Sequence, residues 1–166
     1  SIIYEFEDFY KYNTKRLIPL DKDKLKKAIK LYCKDDKECF YIYGFSSFWD
    51  VSTIKDMMNM FKDSQFNGDI SNWNVSNVEN MSLMFAESQF NGDISNWNVS
   101  KVKNMAGMFL QSQFNQDIAK WNVSKVENMN LIFQESIFNK DISKWDLNSV
   151  ISMDFMFRKS KFNGNI

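Results

Sequence analysis

An α/β solenoid is the fold class this sequence predicts, on three observations. A 24-residue block recurs without insertion or deletion, reading FNGDISNWNVSNVENMSLMFAESQ from Phe66 and restarting at Phe90, Phe114 and Phe138, with a stub from Phe162. An unbroken period of this length marks coils that cannot bury their apolar face alone and stack on one another. Within each block the apolar spacing shifts from near two to near three and a half, the signature of a short strand followed by a helix. The residues ahead of the first block are not repetitive and contain a helical pattern, as an end cap requires.

Residues 1–41 read as an N-terminal helical cap and residues 42–166 as the repeat solenoid, with coils starting near 42, 66, 90, 114 and 138, all one folding unit. The cap opens with an aromatic-rich stretch carrying Tyr4, Phe6, Phe9, Tyr10 and Tyr12. Pro19 and Asp21 precede a predicted helix over 22–32, whose Leu25, Ala28, Ile29 and Tyr32 fall on one face. A second short helix is predicted over 36–43, with Gly44 as its terminator. Ile42 begins a degenerate first coil, in which Gly44, Trp49, Val51, Met57 and Phe61 align with Gly68, Trp73, Val75, Met81 and Phe85.

Inside a coil, Ile70, Trp73, Val75 and Val78 follow the spacing of the strand half of a leucine-rich repeat, with Ile, Trp and Val at the leucine positions. A strand over 72–76 puts Trp73 and Val75 on one face and Asn72, Asn74 and Ser76 on the other. Val78, Met81, Met84 and Phe85 then fit one helical face, and Ser76 followed by Glu79 fits a capping box, so a helix is predicted over 77–87. On that reading Gly107 weakens the third helix by about 1 kcal/mol against Ala.

Composition narrows the function classes. Acidic and basic residues balance at 21 each, so steering toward nucleic acid or an anionic membrane is not implied. There is no histidine, which removes the commonest general base and metal ligand. Two cysteines, Cys33 and Cys39, are too few for a disulfide framework or a four-ligand zinc site; they either pair with each other or stay reduced. No apolar run is long enough to span a membrane. The chain begins at Ser1 without a signal peptide and ends just inside a repeat, so both ends read as those of a processed product. No nucleophile–base pair, phosphate loop or metal cluster is visible, and the expectation is a non-enzyme with no cofactor.

The periodic columns carry the rest. Every Trp of the chain falls in one column, Trp49, Trp73, Trp97, Trp121 and Trp145, and its shared parity with Val75 points it inward, with rings stacked about 4.8 Å apart. Asp69, Asp93, Asp117 and Asp141 form a carboxylate column, with Asn165 in the stub. It either holds calcium between coils or accepts turn amides; one carboxylate per coil favours the turn reading. Gly68 and Gly92 give way to Gln116 and Lys140 without disturbing the period, so that position does not demand glycine. The invariant columns Asn67, Asn91, Asn115, Asn139, Asn163 and Ser64, Ser88, Ser112, Ser136, Ser160 are expected to form coil-to-coil ladders. The outward strand positions are the candidate interaction face: Asn74, Asn98, Lys101, Lys120, Asn122, Lys125, Lys144 and Asp146. They are small or basic and lack the aromatic anchors of high-affinity hot spots.

The run from Asp69 to Phe85, with its W-x-V-S-x-V-x-x-M-x-x-M-F core followed by F-N-G-D, resembles the BspA-like repeats of surface proteins in mycoplasmas, other bacteria and some large viruses. The core recurs at 97–109 and 121–133, with Ile132 in place of Met, and the final copy departs more, having Asp146-Leu147-Asn148 for Asn-Val-Ser. The resemblance covers about residues 45–166. It implies a leucine-rich-repeat-like solenoid, often at a cell surface, without known catalytic residues. The expected function is a non-enzymatic interaction or adhesion module that meets a protein or host-surface ligand. The alternative is a structural component of a virion or envelope that self-associates through its solenoid ends, the C-terminal end among them, with a virion or intracellular location in place of the cell surface.

Overall fold

The computed structural model describes residues 18–164, so the aromatic stretch at Tyr4 to Tyr12 and the stub residue Asn165 lie outside the described residues. The element order is β1 (Ile18–Pro19), α1 (Lys22–Lys34), α2 (Asp36–Tyr43), a single 3-10 turn (Ser46–Phe48) and β2 (Trp49–Asp50). β1 and β2 pair in parallel, Ile18 opposite Trp49 and Pro19 opposite Asp50. The Asp21 side chain caps α1 by accepting the Lys24 N–H. Asp35 then serves twice: its N–H donates to the Leu31 carbonyl, closing α1, and its carboxylate accepts the Glu38 N–H, opening α2. Gly44, at φ 64°, ends α2 and donates to the Phe40 carbonyl. Both helices stand close to the spans the sequence predicts, and the boundary drawn at 41 falls inside α2.

α1 covers the N-terminal edge of the first coil. Leu25, Ala28 and Ile29 join the core, Lys22 pairs with Asp56 near the start of α1, and Cys33 contacts the Ser64 hydroxyl near its end. Tyr32 packs on Phe66 with ring centroids 4.6 Å apart.

Beyond Asp50 the described residues contain no α-helix and no strand, only turns and isolated bridges. The predicted helix over 77–87 is a run of overlapping turns. Met84, Ala86 and Ser88 donate their N–H groups to the carbonyls of Met81, Leu83 and Phe85. The alternate N–H groups of Met81, Leu83, Phe85 and Glu87 point along the stack and donate to Asn104, Ala106, Met108 and Leu110 of the next coil at 2.7–2.9 Å. The pattern repeats one coil later, from Met105, Gly107, Phe109 and Gln111 to Asn128, Asn130, Ile132 and Gln134. Parallel bridges run down the same side, Asp56 to Asn80, Asn104, Asn128 and Ser152. The coil-to-coil pairing therefore sits in the segment expected to be helical. The expected strand over 72–76 keeps its alternation, with Trp73 and Val75 buried and Asn72 and Asn74 exposed, but forms no ladder.

The reason lies in the backbone. Two columns take φ between 51° and 61°, the left-handed region: Asn59, Leu83, Gly107, Leu131, Phe155, and Asp63, Glu87, Gln111, Glu135, Lys159. Each non-glycine there costs about 1–2 kcal/mol. A left-handed residue every fourth position breaks the helix while returning Met81, Met84 and Phe85 to the core at helix-like spacing. Ser76 does not cap a helix; its hydroxyl donates to Asn74. Gly107 is not a weak point but the unstrained member of its column, and a Cβ there would sit 2.6 Å from Leu83 Cδ2.

The core is a set of stacked columns. The Trp residues are 2–7% exposed, and each indole N–H donates to a main-chain carbonyl: Trp73 to Ser46, Trp97 to Ile70, Trp121 to Ile94 and Trp145 to Ile118. Trp73 and Trp97 lie 6.3 Å apart at 4°, an offset stack wider than the bare coil spacing. Two Phe columns alternate beside them, with Phe85 and Phe109 at 5.8 Å and Phe109 and Phe114 at 4.3 Å.

Two substitutions test this arrangement. Trp97→Ala should destabilise by about 3–5 kcal/mol and leave the Ile70 carbonyl without its donor, read from urea midpoints; strong iodide quenching of most Trp emission in the wild type would overturn the buried column. Gly107→Ala should lower stability by about 1–2 kcal/mol, because φ 60° and Leu83 both oppose a Cβ. A helical residue would gain about 1 kcal/mol from the same change, so the sign of the shift decides between the two backbones.

Candidate functional site

All eight residues of the candidate interaction face are exposed: Asn74, Asn98, Lys101, Lys120, Asn122, Lys125, Lys144 and Asp146. Half of them shape the backbone. The side-chain Oδ1 of Asn74 accepts the N–H of Ser76, Asn98 that of Ser100, Asn122 that of Ser124 and Asp146 that of Asn148, all at 3.1–3.2 Å. These are Asx turns, in which a short side chain mimics a backbone carbonyl two residues back. The Ser hydroxyls of Ser76, Ser100 and Ser124 donate to the same oxygens at 2.7 Å. The D/N-x-S pattern repeated along each coil is the sequence signal for this role.

The lysines are held differently. Lys101 Nζ donates to Asn77 Oδ1 at 2.8 Å, and Asn77 Nδ2 donates to the Ser52 carbonyl, tying three coils together. Lys120 lines a shallow cleft of about 240 Å³ with Asp93, Ser95, Gln116 and Asp117. Lys144 lies near Asp141. Lys101 and Lys125 share one column, Lys120 and Lys144 another, with the Asn122 column between them in sequence.

The Asp column is built into turns as well. Asp69, Asp93, Asp117 and Asp141 each accept the N–H two residues on, from Ser71, Ser95, Ala119 and Ser143. The Ser95 backbone N–H, and then its hydroxyl, hold the Asp93 carboxyl below its ordinary range, and Ser143 does the same for Asp141. The Asn column forms a ladder: Asn91, Asn115, Asn139 and Asn163 each donate a backbone N–H to the Asn Oδ1 of the preceding coil, at 2.8–3.1 Å. In the Ser column, Ser64, Ser88, Ser112, Ser136 and Ser160 accept the N–H of the Phe that opens the next coil.

Both cysteines are free thiols. Cys33 is exposed beside Ser64, while Cys39 is buried, donates to the Ala28 carbonyl and has its thiol pushed up to about 11, chiefly by burial. A thiol so raised is a poor nucleophile. Among the described residues no group of three or more His, Cys, Asp or Glu is placed to hold a metal ion, and no helix is long and apolar enough to cross a membrane.

The Asp turns predict an acid limb. The folded Asp93 and Asp141 carboxyls titrate below the ordinary value of 3.8, so the stability these two add is complete above that value and is lost as the pH falls through the lower folded one. Asp93→Asn keeps the turn acceptor without the titration and should flatten this acid loss while leaving neutral stability nearly unchanged. Asp93→Ala should cost no more than about 1 kcal/mol at neutral pH, since the bond is exposed. Melting curves from neutral to strongly acidic pH check both. Millimolar calcium should leave the melting temperature unchanged; a rise of several degrees would show that the column binds the ion.

A family described as "Mycoplasma protein of unknown function, DUF285" matches residues 37–135 and again 111–166. No curated protein and no solved structure matches the chain. The two matched stretches overlap and together take in α2 and every coil, so the chain belongs to this family of mycoplasma-type repeat proteins.

Proposed function

We propose that the chain is a solenoid-type, non-enzymatic interaction or adhesion module, related to BspA-like repeats and displayed on a surface protein. The observation that carries this reading is periodic display. The column Asp50, Asn74, Asn98, Asn122 and Asp146, exposed from Asn74 onward, recurs once per coil, joined by lysine in the coils starting at 90, 114 and 138, on a backbone that is hydrogen-bonded from each coil to the next. A ligand with repeated groups would meet an Asn or Asp at each layer and a lysine at the last three, and weak contacts would add through avidity. The groups that most often do chemistry are otherwise occupied: the column carboxylates cap turns and the Cys39 thiol is buried. The lysines favour a ligand carrying carboxylate or other anionic groups among neutral polar ones, since Lys120 and Lys144 sit beside aspartates that limit the net field.

A streptavidin tetramer of the biotinylated chain tests the reading on cultured animal cells. It should bind with a half-saturation at least about tenfold below that of the monomer. The quadruple variant K101S/K120S/K125S/K144S should keep its melting temperature and lose most of the tetramer's binding. Equal binding by wild type and variant would overturn the assignment of this face.

A further inference from the structure

One side of the stack carries the coil-to-coil hydrogen bonds of residues 79–87 and their equivalents. In the coils starting at 66, 90 and 114 the middle of this side is uncharged. Half-buried Leu83, Leu110 and Leu131 sit there among Ala86, Ala106 and Gly107. Charge is confined to the borders. On one border runs the exposed column Lys55, Glu79, Lys103 and Glu127, and on the other Asp63, Glu87, Glu135 and Lys159, with Gln111 between. A closed apolar centre inside a charged rim is the anatomy of a protein interface.

The first column alternates in sign from layer to layer. Its four side chains make no ion pair among the described residues, so their charges are available to a partner. Alternation selects that partner. A polyanion or a polycation would meet its own charge at every second layer. What fits is another column alternating with the same rise, and this chain carries one.

We propose that this side is a lateral interface between two copies of the chain, related by a two-fold axis that crosses the stack at right angles. Such an axis lays each column on its own counterpart with the layers in reverse order. Placed level with the gap between the coils starting at 90 and 114, it sets Lys103 of each copy opposite Glu127 of the other and Glu87 opposite Lys159. It also sets Leu83 opposite Phe155 and Gly107 opposite Leu131. No like charges then face each other within a column. The other placements fail on charge. Half a layer away, Lys103 meets Lys103 or Glu127 meets Glu127; a full layer toward α1, Asp63 meets Glu135. An axis along the stack sets Glu79 against Glu87. Four layers about 4.8 Å apart and eight residue steps of about 3.3 Å span roughly 500 Å² per copy, roughly 1,000 Å² in all, which is the low end for a specific interface. The rim pairs therefore set register more than affinity. The column of Asn74 lies earlier in each coil, ahead of this side, so pairing leaves the proposed ligand face open and doubles its copies.

Sedimentation of the full chain tests the proposal. From about 1 μM to about 500 μM the wild type should show a monomer–dimer equilibrium that weakens with added salt. Lys103→Glu and Glu127→Lys should each keep the melting temperature of the dilute wild type and weaken dimerisation at least about tenfold, since each brings like charges together twice per pair. An equimolar mixture of the two variants should recover dimers, because one copy then carries only acidic and the other only basic side chains at these two positions. A wild type that stays monomeric throughout would overturn the proposal. So would single variants that dimerise as the wild type does, which would mean association through another surface, or a mixture that recovers nothing, which would mean another register. The variant K101S/K120S/K125S/K144S should dimerise as the wild type does, so failure here and failure of the ligand face are separate results.

Discussion

The structure depends on one constraint: coils without helix or strand must still satisfy their backbone polar groups. Helices and sheets do this with the backbone alone, which leaves sequence free. Here the backbone cannot, and side chains with short oxygen arms are recruited at fixed places. In the second coil Asp69, Asn74 and Asn80 each accept the N–H two residues on, and Ser88 accepts that of Phe90. The remaining groups are shared between i+3 turns and the neighbouring coil. Each oxygen serves a specific amide, so one inserted residue would misplace every later partner. That is a physical reason for a period held without insertion over the whole stack.

The core offsets what this backbone costs. Left-handed Leu83, Leu131 and Phe155, with the Glu and Gln residues of the second column, amount to about 1–2 kcal/mol per strained residue. Against this each of the three coils starting at 66, 90 and 114 buries a Trp, two Phe and three further large side chains from its Met and Ile columns, at about 1.5–3 kcal/mol apiece. Burial outweighs the strain severalfold, before chain entropy is counted. Stacking one ring over its counterpart also lets every coil reuse the same side-chain geometry. The indole N–H would be the one polar cost of a buried Trp, and the carbonyl of Ile70, Ile94 or Ile118 removes it.

Some of this was legible in the sequence because periodicity fixes sidedness. The parity of Trp73 with Val75 placed both inside, and the lone Asp per coil pointed to turn capping. The cap helices were marked by Asp21 and Gly44. The 77–87 segment departs from the helix its spacing predicts for a physical reason: apolar residues at three- and four-residue spacing arise equally from overlapping i+3 turns with left-handed residues four apart. Leu83 and Leu131 gave no sign of that conformation, since leucine rarely adopts it. Gly107 was the one hint, and a helical frame turned it into a defect. Strand alternation predicts only the exposure of the face residues Asn74, Asn98 and Asn122, whereas the Ser two positions after each marks the Asx turn they form.

The same alternation makes the two sides of a coil chemically different. Across residues 81–87 every second N–H points to the next coil and the carbonyls between them to the preceding one, while the carbonyls of Glu79 and Ser88 flank this row and accept from the next coil. The acceptor edge of the first coil is covered by α1, a helix with lysines at 22, 24, 26, 27, 30 and 34. Lys22 reaches Asp56 on that edge, and Lys26 adds to its field there. A cap of this kind covers the apolar edge of the first coil, and from there the peptide groups of each later coil keep the same sense along the stack.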